Sequence, residues 1–204
     1  MDNKELQTEQ KIFKAAAEVF EEKGLDGSRM QQIADRAGIN KSLLHYYYRS
    51  KEKLFKAVFS LVAKNMFKKM IHFFSDPNMN LEEKIRFFYR EHITFLQKNP
   101  YLPAFLINEI NRNPDLIRQL FESEEFVHAR NLMKEQYARD VESGNFLDYR
   151  PIHLFINIVS MSVFPFAARG IIQFIMNEEG LDFNEEMEKR KTMLPQFVLK
   201  ALKN

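Results

Sequence analysis

The sequence predicts an all-α protein. Three observations carry that reading: only 6 glycines and 7 prolines in 204 residues, apolar residues recurring three and four apart over long stretches, and no segment of β-type alternation. With 45% hydrophobic and 28% charged residues, the chain has the material for a core. Glycine and proline punctuate it into about nine helices, expected near 5–23, 29–36, 41–47, 51–75, 81–98, 103–112, 115–143, 151–177 and 185–202. Pro165 and Pro195 fall inside the last two, where the missing N–H should kink or break the helix.

The first helix carries Ile12, Ala16, Val19 and Phe20 on one stripe and is expected to stop at Gly24, a residue suited to a left-handed cap. Ser28-Arg29-Met30-Gln31 fits an S-x-x-Q capping box, which opens a short second helix with Ile33, Ala34 and Ala37 inward. Gly38 breaks that helix, Asn40 caps the third, and Ser50 caps the long fourth. Two short helices around a glycine turn make a helix-turn-helix, in which Ala34 allows close crossing and Ile33, Ala37, Ile39 and Leu44 close a small core. Lys41, Ser42, His45 and Tyr46 are left on the outward face of its second helix. Charge follows the same division: residues 28–56 hold seven basic and two acidic side chains, net +5, while the whole chain carries only +2.

From Ile12 through Phe55 the chain resembles the tetracycline-repressor (TetR) family. The resemblance rests on Ser28, Ile33-Ala34, the run Ala37-Gly38-Ile39-Asn40-Lys41-Ser42-Leu43-Leu44-His45-Tyr46-Tyr47-Tyr48, and Ser50-Lys51-Glu52-x-Leu54. His45 stands where that family usually has tyrosine, Tyr48 where it has phenylalanine, and Ser42-Leu43 where a Gly-Thr pair is common. The resemblance implies a DNA-binding domain over 1–50 and an effector-binding and dimerisation domain over 51–204. It further implies a homodimer on pseudo-palindromic double-stranded operator DNA, with Gln31, Lys41, Ser42 and Tyr46 near base edges and Arg29, His45, Tyr47 and Lys51 at phosphates. Gln31 has a second reading, completing its capping box, and Tyr47 another, packing beneath the recognition helix.

The C-terminal three-quarters match the family only in length and helical character. Ile152, Phe155, Ile156, Val159 and Val163 line one late helix, and Met193/Leu194, Phe197/Val198 and Ala201/Leu202 recur on the last. This is apolar surface that a two-fold dimer would cover, with Ile152, Phe155, Ile156, Val159, Leu194, Val198 and Leu202 as the interface set. Twenty phenylalanines and ten methionines suit an adaptable interior, so the expected effector is small and apolar or amphipathic. Tyr89, His92, His128 and Asn157 are the polar side chains near apolar runs that could orient it.

Other classes have less support. Glu125-x-x-His128 is one metal-type pair where a di-iron bundle needs two, so a metalloprotein is a remote alternative. No catalytic constellation, cofactor motif or metal site is expected. A nearer alternative keeps the helix-turn-helix and has the C-terminal part bind only protein partners. The absence of cysteine suits a reducing cytoplasm, and the charged start Met1-Asp2-Asn3-Lys4-Glu5 has no signal-peptide character. Residues 151–168 lack Asp, Glu, Lys and Arg but are read as a buried helix, so no membrane partner is expected.

Overall fold

The computed structural model describes residues 3–112, 115, 118 and 121–203. Among them stand ten helices: α1 (Asn3–Gly27), α2 (Met30–Ala37), α3 (Lys41–Tyr47), α4 (Lys51–Phe74), α5 (Leu81–Lys98), α6 (Leu102–Arg112), α7 (Glu124–Glu142), α8 (Pro151–Ala167), α9 (Arg169–Glu178) and α10 (Phe183–Leu202). They fall into two compact units, residues 1–66 and 67–204.

The first unit forms as the pattern requires. Ile12, Ala16, Val19 and Phe20 are buried with Ile33, Ala34 and Leu44. Gly24 interrupts α1 with φ 67°, a conformation that disfavours side chains. Gly38, also at φ 67°, closes α2 with paired bonds from its own N–H to Asp35 and from the Ile39 N–H to Ala34. The unit runs to residue 66 rather than 50, because Leu54, Phe55, Val58 and Phe59 of α4 are buried and Phe55 meets Phe20 edge-on at 4.9 Å.

The second unit is built on α5, which packs along α10. Asn80 and Glu83 start α5 with a reciprocal capping box, both bonds 2.9 Å. Lys84, wholly buried on the same helix, donates to the Phe74 carbonyl at the end of α4 and to Gln136 Oε1 on α7, each at 2.8 Å. Burial pushes its pKa down. Gln136 in turn donates to the Met79 carbonyl at 2.9 Å, so one pair ties α4, α5, α7 and a loop together. Gln136→Leu strips a buried ammonium of an acceptor and is expected to lower stability by about 1–3 kcal/mol in denaturant unfolding.

Two expected helices are divided. The span 115–143 appears as α7, started by Ser123, whose hydroxyl accepts from the Phe126 N–H; residues 116, 117, 119 and 120 of that span lie outside the described ones. The span 151–177 is two helices bent by 78°. Pro165 cannot donate to the Met161 carbonyl, and α8 ends two residues beyond it, at Ala167. Arg190 of α10 takes the vacated place, donating from Nη2 to that carbonyl at 2.8 Å. Pro195 leaves α10 continuous. No single helix among the described residues is long and apolar enough to cross a membrane.

Candidate functional site

The α2–α3 pair presents one polar, basic surface. Asn40 starts α3 by accepting the Leu43 N–H at 2.7 Å, and Leu44 anchors the helix inward. At its far end Tyr48 donates to Glu9 of α1 at 2.9 Å and meets Phe13 edge-on at 5.9 Å. Burial, then that bond, pushes the Tyr48 pKa up, so the hydroxyl stays protonated and donating. The recognition face is thereby fixed at both ends of a seven-residue helix.

Lys41, Ser42 and His45 lie exposed on that face, and Tyr46 projects furthest, 80% exposed. Tyr47 is half-buried, its ring edge-on to Tyr46 at 5.6 Å. Arg29 is exposed at the start of α2. Lys51 is half-buried and donates to the Ser28 carbonyl at 3.2 Å, so it also braces the junction before α2.

The capping box does not form. Ser28 is buried and its hydroxyl donates back to the Leu25 carbonyl at 2.8 Å, serving the end of α1, so Arg29 occupies the cap position of α2 without a side-chain bond. Gln31 is exposed and its amide donates to Asp35 at 2.7 Å, one turn along the same helix.

Residues 12–58, which hold this whole arrangement, match the family model of bacterial regulatory proteins, tetR family. The repressor NicS of Pseudomonas putida is 34% identical over 95 residues, 44% of this chain and 45% of NicS. A TetR/AcrR-family regulator from Thermobifida fusca superposes over 94% of this chain and 96% of its own, with TM-score 0.66 and 22% identity. The likeness to the tetR family thus rests on residues 12–58, and over the rest of the chain it is one of fold. FadR of Bacillus subtilis, solved in complex with stearoyl-CoA, shares the fold at TM-score 0.59 and 17% identity, over 94% of this chain and 98% of FadR. The chain matches less than half the length of NicS.

The four polar residues of the second unit separate. Tyr89 and His92 lie on α5 and face α8: the Tyr89 hydroxyl lies 3.9 Å from Met161 Sδ, and His92 Nδ1 lies 3.0 Å from Ser162 Oγ. Ser162 spends its hydrogen on the Val159 carbonyl at 2.9 Å, so the imidazole is the donor and Nε2 remains its acceptor. Desolvation pushes the His92 pKa down to about 4, keeping the ring neutral. Asn157 is exposed in an open groove of about 210 Å³ between α8 and α10, and His128 is exposed on α7, as is Glu125. Among the described residues no three His, Asp or Glu side chains are grouped to hold a metal.

The interface set also needs correcting. Ile152, Phe155 and Ile156 are exposed and Val159 half-exposed, but Leu194, Val198 and Leu202 are buried in the α10 face that packs on α5. One residue earlier in each pair, about 100° around the helix, Met193, Phe197 and Ala201 are the ones that face out. Arg190 went unrecognised, although Pro165 four residues after Met161 signals a carbonyl without a helical donor. Lys84 gave no such signal, since it sits one residue off an ordinary apolar stripe.

Proposed function

We propose that this protein is a cytoplasmic, dimeric transcriptional repressor that holds pseudo-palindromic operator DNA through α3 and leaves it when a small apolar or amphipathic effector enters the bundle of residues 67–204. The observation that carries the reading is the fixed, outward face of α3, with exposed Lys41, Ser42, His45 and Tyr46 and no acidic side chain on the helix. Base edges need donors and flat apolar groups, and phosphates need cations; this surface offers both. NicS bears the description of a repressor, which favours that sign of regulation. The stearoyl-CoA in FadR favours an acyl-type effector.

Effector polarity would be read by Tyr89 and His92, whose neutral ring offers Nε2 to a donor in an otherwise aromatic setting: Phe88 stacks on the imidazole at 4.8 Å. Continuous from Lys51 to Phe74, α4 would carry the displacement.

Selection of binding sites from random duplex DNA tests the reading directly. Wild type should enrich one pseudo-palindrome, and Tyr46→Ala should lose about 1–3 kcal/mol on it while keeping its affinity for unrelated DNA. Arg29→Ala should weaken both equally and lower the salt slope by about 1 per site. Equal loss on both DNAs for Tyr46→Ala would remove it from base reading.

A further inference from the structure

Holding the Met161 carbonyl occupies one N–H group of the Arg190 guanidinium, which has five. Its Nε is buried and has no hydrogen-bond partner among the described residues. The charge is unbalanced as well. The flanking Lys189 and Lys191 pair with Glu186 and Glu188, whereas no carboxylate among the described residues pairs with Arg190. Beside it stands the wholly buried Tyr89, whose hydroxyl lies 3.9 Å from the Met161 thioether, a weak acceptor. The two groups interact electrostatically, and burial pushes the Arg190 pKa down and the Tyr89 pKa up. Buried charge is ordinarily paired, so a cation beside a hydroxyl turned to sulphur is costly in the single chain and complementary to an anion.

We propose that Arg190 and Tyr89 seat the carboxylate of the effector, which is therefore an amphipathic acid. The inference rests on the effector reading above and names the class of ligand. A carboxylate brings one charge and two oxygens, which match one cation and two donors, Arg190 Nε–H and Tyr89 O–H. A phosphate, with about 1.5–2 negative charges and three acceptor oxygens, is poorly matched by this pair. Met161 is the movable wall of the seat. Its thioether meets the Tyr89 hydroxyl and also lines the open groove between α8 and α10, so displacing this flexible side chain joins the two donors to a groove walled by Leu154, Ile158 and Val198. His92 takes no part in holding the anion, because its Nδ1 donates to Ser162 and its Nε2 is an acceptor; it is left to an O–H or N–H elsewhere on the effector.

Calorimetric titration of the full chain with octanoate, decanoate, dodecanoate and phenylbutyrate, each beside its methyl ester, tests the seat. At least one acid should bind saturably and at least about tenfold more tightly than its ester. Tyr89→Phe should remove most of that preference and leave the thermal midpoint unchanged, since the hydroxyl donates to sulphur. Arg190→Gln should abolish the preference; it also forfeits the bond to the Met161 carbonyl and loses stability, so Tyr89→Phe is the variant that isolates ligand binding. Lys200→Met, which removes an exposed cation from the same helix, should keep the preference in full. An acid preference that survives either of the first two substitutions, or that falls equally in Lys200→Met, would overturn the seat. Esters that bind as tightly as their acids, or decanoyl-coenzyme A that binds more tightly than decanoate, would overturn it and leave the apolar effector standing. Binding of neither acids nor esters would overturn the seat together with the small-effector reading.

Discussion

Phe155→Asp combined with Phe197→Asp is expected to yield a folded monomer that has lost operator affinity by about 10²–10⁴-fold. Both rings stand outside the protomer core, Phe155 on α8 and Phe197 on α10, so charging them removes nothing that the single chain uses to fold. A dimer places two copies of α3 on half-sites one helical turn of DNA apart, roughly 34–36 Å. Once the first copy is bound, the second binds at the high effective concentration set by the dimer. A monomer forfeits that gain. Val198→Asp should fail differently: Val198 is buried, so its variant should be unfolded or strongly destabilised by an unpaired buried charge. Sedimentation and circular dichroism of the two variants separate the outcomes, and a double aspartate variant that remains dimeric would remove this face from the interface.

That contrast also marks how far the sequence was legible. Apolar periodicity gave the helices and the outward side of α3, because Leu44 and Asn40 admit one orientation of a seven-residue helix. On α10 the periodicity was doubled: Met193/Leu194, Phe197/Val198 and Ala201/Leu202 repeat every four residues, and pattern alone does not say which member of each pair faces α5. Packing decides it, and it is non-local. The same holds at Ser28, where the box spacing is present but the hydroxyl serves the preceding helix. The end of α1, at Gly27, lies so close to the start of α2 that Ser28 is taken up by the preceding helix, a circumstance spacing does not encode. Lys84 is the extreme case, since its partners Phe74 and Gln136 lie 10 and 52 residues away.

His92 should make the fold sensitive to mild acid. Its pKa falls from the ordinary 6.5 to about 4 because burial disfavours the charged ring. Between those values the unfolded chain binds a proton that the folded chain refuses, so stability is fully present above pH 6.5 and is lost as pH falls toward about 4. The loss amounts to about 3 kcal/mol over the window, a large share of a domain's total. Carboxylates do not mimic it: Glu22, Glu82, Glu91 and Glu188 are held below their ordinary 4.5, mainly by bonds to Arg36, Lys203, Lys69 and Lys191, so their contribution is lost only below that pH. His92→Asn keeps a donor for Ser162 Oγ without a titrating ring. Urea unfolding from pH 7 to 4.5 should therefore show a steep decline for wild type and a nearly flat line for the variant. Parallel slopes would place the acid sensitivity elsewhere. Because the same ring is proposed to orient the effector, a ligand that donates to Nε2 should bind best in the neutral state, and its affinity should follow the same descent in pH.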